Sequence, residues 1–110
     1  MVKPPEVIFH PSVVEYLDTL GKQLFDNGYF GYRENAVQYI QRMVDYISSC
    51  VHLHAAIPAP GYFEKYGSHL KYITYHSTKH TTWYIFFQHL DNRFLIRYIT
   101  NNHVEGQHIR

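Results

Sequence analysis

At 110 residues the chain supports one domain, residues 1–110, with a single core, and 45% hydrophobic with 17% aromatic content excludes a disordered polymer. No apolar run approaches the roughly 20 residues that span a bilayer. Met1-Val2-Lys3-Pro4-Pro5 lacks the apolar centre of a signal peptide, so no membrane association and a cytoplasmic location are expected. The single cysteine, Cys50, excludes an internal disulfide, and a net charge of +1 argues against the basic stripe of a dedicated nucleic-acid binder.

In chain order, Val7-Ile8-Phe9 ahead of Pro11 predicts a first strand at about residues 5–9, because proline biases the residue before it towards extended backbone. Ser12 with Glu15 has the spacing of a capping box and should open a helix. Val13, Tyr16, Leu17, Leu20 and Leu24 supply its apolar stripe, and Asn27-Gly28 its left-handed stop. Ala36, Val37, Ile40, Met43, Val44, Ile47, Cys50 and Val51 predict a second helix over about 32–54, ended by Pro58 and Pro60. The aromatic loop Pro60–Gly67 should fold back onto the sheet.

Three runs rich in aromatic and β-branched residues follow: 70–76, 81–87 and 93–100. Ser77-Thr78-Lys79-His80 and Asp91-Asn92 separate them, which predicts an antiparallel meander. The expected fold class is α+β, with both helices on one face of a four-stranded sheet. The other face should lie partly open, with Trp83 or Tyr84 on it.

The two halves differ in charge. Residues 1–56 hold four Lys/Arg against six Asp/Glu, whereas 57–110 hold six against three and six of the nine histidines. Strand alternation would put Arg93, Arg97, Asn101 and His103 on one face, roughly 7 to 14 Å apart at a rise of about 3.3 Å per residue, a spacing suited to an extended anion. Arg97 offers a fork of donors to a phosphate, and the imidazole of His103 is of the type that donates or accepts a proton near neutral pH. The same residues also read as ordinary structure, Arg97 pairing with Glu105 or Asp91 and His103 closing a turn. Lys79 and His80, at the first hairpin tip, could steer an anion inward. His52-x-His54 lacks the spacing of a helical metal pair, so neither a metal nor another cofactor is expected. Glycine-rich phosphate loops and serine-nucleophile motifs are absent.

Tyr29-Phe30-Gly31-Tyr32-Arg33-Glu34, Ala59-Pro60-Gly61-Tyr62-Phe63, Thr81-Thr82-Trp83-Tyr84-Ile85-Phe86-Phe87 and Arg97-Tyr98-Ile99-Thr100-Asn101-Asn102-His103 resemble segments of an uncharacterised RelE/ParE-like branch of the bacterial type II toxins. The resemblance covers nearly the whole chain, including the order strand, helical hairpin, meander. It implies a plasmid-stabilising type of toxin neutralised by a cognate antitoxin, in a hetero-oligomer or as a homodimer. In ribosome-dependent members the toxin is a metal-independent endoribonuclease that cuts mRNA. ParE-type members instead act on DNA gyrase, and a third alternative is a non-toxic interaction module on the same fold.

Taken with the grouping read from the strand and the hairpin tip, that endoribonuclease activity makes His103, Arg97 and Lys79 the expected catalytic residues, with Arg93, Asn101, Asn102 and His80 binding RNA. His103 falls about where nuclease members place a terminal His. Two departures stand beside it: Val104 follows where a Tyr is usual, and Thr81-Thr82 occupy the usual position of an Arg.

Overall fold

Proline at the first helical position already has the φ that a helix requires, and its missing N–H would have no partner there anyway. In the computed structural model, which describes residues 4–28, 33–53 and 55–109, helix α1 accordingly runs Pro11–Asp26, after a first strand β1 at Glu6–Phe9. His10 caps α1, its Nδ1 accepting from the Ser12 amide at 3.2 Å. The expected capping box does not form, because Pro11 takes the first helical position and leaves Ser12 inside the helix. The stop is as expected: Asn27 is the C-cap, and Gly28 has φ +78°, a left-handed value that glycine adopts without strain.

Helix α2 covers Arg33–Cys50, shorter at its C-terminal end than the pattern predicts. Val51 stays buried, its N–H bonding the Ile47 carbonyl at 3.0 Å, and the chain turns through Leu53 well before Pro58. Strand β2 (Ile57–Pro58), a 3-10 turn (Gly61–Tyr66), β3 (Lys71–Thr78), β4 (Thr81–Leu90), β5 (Arg93–Asn101), α3 (Asn102–Glu105) and a last 3-10 turn (Gly106–His108) follow. The segment Tyr29–Tyr32 of the resemblance lies outside the described residues, as does His54.

The α+β class is as expected, but the sheet has five strands in the order β1-β5-β4-β3-β2. The addition is β2, whose two residues are too few to alternate visibly and whose proline sits at a sheet edge, where a missing donor is tolerated. β1 runs parallel to β5, and the other pairs are antiparallel.

Val13 and Leu17 of α1 and Met43, Ile47 and Val51 of α2 bury against Ile73, Trp83, Ile85, Phe87, Phe94, Ile96 and Ile99, so both helices cover one face of the sheet. Val37 is off this stripe, 58% exposed. Trp83 is on the helix side, 3% exposed, its indole N–H donating to the Tyr39 hydroxyl at 2.9 Å. Tyr39 in turn donates to Ser77 Oγ at 2.7 Å, and Tyr46 to the Thr74 carbonyl at 2.8 Å, tying α2 to β3.

The second face is closed rather than half-open. Phe63, Leu70, Tyr72 and Phe86 are buried there, with Tyr66, Tyr84, Tyr98 and Ile109 packed against them. Its cover is the aromatic loop, folded back as its sequence predicts, and the segment after β5. Phe63 stacks on Phe86 at 4.4 Å between ring centroids and Tyr66 on Tyr98 at 3.7 Å.

β5 carries a bulge. Ile96 pairs with Phe87 and Tyr98 with Phe86, so Arg97 has no residue of β4 opposite it. The helix-side residues of β5 are therefore Phe94, Ile96 and Ile99, two and then three positions apart. Tyr98 joins the second face, and Asn101 lies opposite Trp83 on the helix side. Arg93, Arg97, Asn101 and His103 consequently do not share a face, because the extra residue inverts the alternation after Arg97.

Phe63 anchors the cover of the second face and is wholly buried. Phe63→Ala should cost about 3–5 kcal/mol of unfolding free energy in urea titration, and Val37→Ala within about 0.5 kcal/mol. Equal losses from the two would contradict this packing.

Candidate functional site

The β3–β4 turn and the C-terminal end of β5 meet at one end of the sheet, where hydrogen bonds of Asn102 fix them together. Asn101 is the N-cap of α3, its Oδ1 accepting from the amides of His103 at 2.9 Å and Val104 at 3.1 Å. Asn102 bridges the segments. Its Oδ1 accepts from the Thr82 amide at 2.8 Å, while its Nδ2 donates to the His80 carbonyl at 3.1 Å.

His103 Nε2 lies 3.1 Å from Thr81 Oγ1, and His76 Nδ1 lies 2.9 Å from Thr82 Oγ1. The threonines standing where an arginine was expected thus engage imidazoles. Lys79, His80, Asn102 and His103 are all exposed around this junction. Of the RNA-binding set, Asn101 and Asn102 have their amides engaged in holding backbone, and what they present is the position of their neighbours.

The two arginines lie elsewhere. Arg97 Nε donates to the Tyr66 carbonyl at 2.9 Å on the second face, and among the described residues it pairs with neither Glu105 nor Asp91. It braces the turn ending at Gly67, where φ is +153° and an added Cβ would stand 3.1 Å from Gln88 Nε2 and 3.4 Å from Arg97 Nε. Four residues of strand separate Arg97 from Asn101, roughly 13 Å at a rise of about 3.3 Å. Arg93 is at the opposite end of β5, 3.6 Å from Glu6 in an exposed pair that contributes little. The structure brings together His80, Asn102 and His103, with Lys79 the exposed residue before His80 in the same turn, and leaves Arg97 and Arg93 apart from them.

Beside this end lies Glu105, only 7% exposed and bonded to Tyr98 rather than to Arg97. Its carboxylate accepts a short hydrogen bond from the Tyr98 hydroxyl. Burial alone would push its pKa up, but hydrogen bonds from Tyr98, Thr100 and Tyr62 and the nearby Lys65 ammonium outweigh that, holding it below the usual carboxylate value. The Tyr98 phenol is pushed well up, first by burial and then by its bond to Glu105. Tyr16 is pushed up to about 12, chiefly by burial and next by the Glu105 charge.

Tyr62 also stacks on His108 at 3.6 Å and 3°, with Lys65 Nζ 3.9 Å from its ring centroid. The sequence signal was available: Glu105 is the sole carboxylate side chain after Asp91, in a chain rich in tyrosine.

Among the described residues, no group of three or more His, Cys, Asp and Glu side chains could hold a metal ion, and no helix is long and apolar enough to cross a membrane. Comparison with protein-family models, curated proteins and solved structures found no match.

Asn102→Ala removes the two Asn102 bonds to the hairpin, so amide exchange at Thr82 should speed up several-fold, for about 1 kcal/mol of local stability. Unchanged exchange would mean the bridge does not operate in solution. The depressed pKa of Glu105 makes its stabilisation present above the unfolded value of about 4.5 and lost as pH falls through the lower folded value. Denaturation of wild type and Glu105→Gln should therefore differ at neutral pH and converge in acid; a pH-independent gap would contradict this.

Proposed function

We propose that the chain is the toxin component of a type II toxin–antitoxin system of the RelE/ParE kind, cutting mRNA on the ribosome and held in check by an acidic cognate antitoxin. The observation that carries this reading is the junction of exposed His103 with Lys79 and His80, at the sheet end where the resemblance expects functional residues. The strand, helical-hairpin and meander order supports it as well.

In this mechanism the ribose 2′-oxygen bonds to the adjacent phosphorus and the bond from phosphorus to the 5′-oxygen breaks. The 2′-hydroxyl gives up its proton and the departing 5′-oxygen gains one. His103 takes part in one of these transfers, oriented by Thr81. The Lys79 ammonium offsets charge developing on the phosphate. RNA supplies its own nucleophile, so none is required of the protein. Arg97, bonded to the Tyr66 carbonyl, is reassigned from the phosphate to the support of the neighbouring turn.

The engagement of Arg97 by the Tyr66 carbonyl, apart from the His103 junction, favours a second reading, a surface-binding toxin directed at DNA gyrase, in which no imidazole has a chemical role. A non-toxic interaction module would arrest nothing. Expression of the chain alone should stop growth, with relief by its antitoxin. His103→Ala should reduce mRNA cutting on translating ribosomes roughly 10²–10⁴-fold, the usual contribution of a general acid or base. Full toxicity of His103→Ala together with inhibited gyrase would replace the nuclease reading by the surface-binding one.

A further inference from the structure

β1 lies at one edge of the sheet, and its pairing with β5 decides which of its backbone groups are used. The Glu6 N–H bonds the Asn92 carbonyl at 2.9 Å, and the His10 N–H bonds the Ile96 carbonyl at 3.0 Å. In a parallel ladder every second residue turns its N–H and C=O towards the neighbour, so Glu6, Ile8 and His10 serve β5. The N–H and C=O groups of Val7 and Phe9 therefore point off the sheet, and among the described residues no strand pairs with them. Such an edge is a template for another strand.

The opposite edge is better guarded. There β2 pairs with Tyr72 and Lys71, and its outward residue, Pro58, has no N–H to offer. Beyond β2, the Thr74 carbonyl is taken by the Tyr46 hydroxyl at 2.8 Å.

The segment Glu6-Val7-Ile8-Phe9-His10 is complementary to itself when reversed. Laid antiparallel on a second copy with the twofold axis at Ile8, Val7 faces Phe9 of the second copy and Phe9 faces its Val7. Every outward N–H of either chain then meets an outward C=O. An axis at Val7 would set Phe9 against Pro5, which lacks the N–H, and an axis at Phe9 would set Val7 against Pro11, already inside α1. With the axis at Ile8, Pro5 falls opposite Pro11 of the second copy, so proline ends the pairing on both sides.

The side chains agree with this register. Val7 and Phe9 pack on the helix-side core, which leaves Ile8 on the other face, 38% exposed, with Leu95 beside it on β5. Across the axis Ile8 meets its own copy. Glu6 is exposed and falls opposite His10 of the second copy. The His10 Nδ1 accepts from the Ser12 amide, so the proton of the neutral ring sits on Nε2, a donor for that carboxylate. Each Glu6 would thus stand between Arg93 of its own chain, 3.6 Å away, and an imidazole of the other. We infer that the β1 edge docks a second copy of this chain, the two β1 strands joining both sheets into one. None of the residues of the Lys79–His103 junction takes part, so this dimer and the toxin reading stand or fall separately.

Two such short edges make a small contact, of the class under about 1,200 Å² that associates weakly. Sedimentation equilibrium of the purified chain from roughly 10 μM to 1 mM should show the mass rising from 13.1 kDa towards twice that value. Ile8→Lys and Ile8→Glu each set like charges against each other at the axis, and each should stay at the mass of one chain with a wild-type circular-dichroism spectrum. Mixed in equal amounts, the two should dimerise at least about tenfold more tightly than either alone, because lysine then meets glutamate. Ile8→Cys, a milder change, should form a covalent dimer on mild oxidation in a Cys50→Ser background. A wild-type chain at single-chain mass throughout, as expected if the edge takes an extended segment of another protein, overturns the dimer. So does a dimer that Ile8→Lys leaves intact, a mixture no tighter than its components, or the absence of a covalent dimer from Ile8→Cys.

Discussion

One residue too many in β5 sets the geometry of everything that follows it. Arg97 has no partner on β4, so the side chains after it point to the faces opposite those that simple alternation assigns. Without the bulge, Tyr98 would face the helices and Ile99 the second face. With it, Ile99 completes the helix-side core and Tyr98 reaches Glu105. A buried carboxylate is tolerable only where donors surround it, and the bulge delivers Tyr98 and Thr100 to the same side for that purpose.

From that anchoring follows the closed second face. Glu105 is held by Tyr98 and Thr100 from β5 and by Tyr62 from the aromatic loop, so one carboxylate draws together a strand, a loop and the C-terminal segment. The Tyr66–Tyr98 and Tyr62–His108 stacks reinforce the same attachment. An open aromatic face is therefore not available as a binding surface in this conformation. Among the exposed residues at this end are Lys79, His80, Asn102 and His103.

Much of the architecture was legible because it is written in local periodicity. The stripe Met43, Ile47 and Val51, the left-handed stop at Gly28 and the alternation in β4 each express a single element's geometry. The bulge was not legible, since nothing in Arg93–Asn101 marks Arg97 as the surplus residue; which residue is left over is decided by pairing with β4. Pro11 displaced the capping box by one favourable feature outcompeting another. Trp83 went to the helix side because β4 had to place Ile85 and Phe87 there. At the candidate site the residue types were foreseeable and their grouping only in part: the meeting of the β3–β4 turn with His103 follows from the meander, whereas the departure of Arg97 from the face of Asn101 follows from the bulge. Asn101 and Asn102 are legible as polar residues at the end of a strand, but their use as cap and bridge depends on the start of α3 in one case and on partners twenty or more positions away in the other.

The central claim is that the hairpin end bearing Lys79 and His103, not the opposite end bearing Arg93, meets the target. A photo-crosslinking residue placed at 79 or at 93 in growing cells tests it directly. The account predicts adducts with mRNA on ribosomes from position 79 and none from position 93. Capture of gyrase from position 79, or of mRNA equally from both positions, would contradict it.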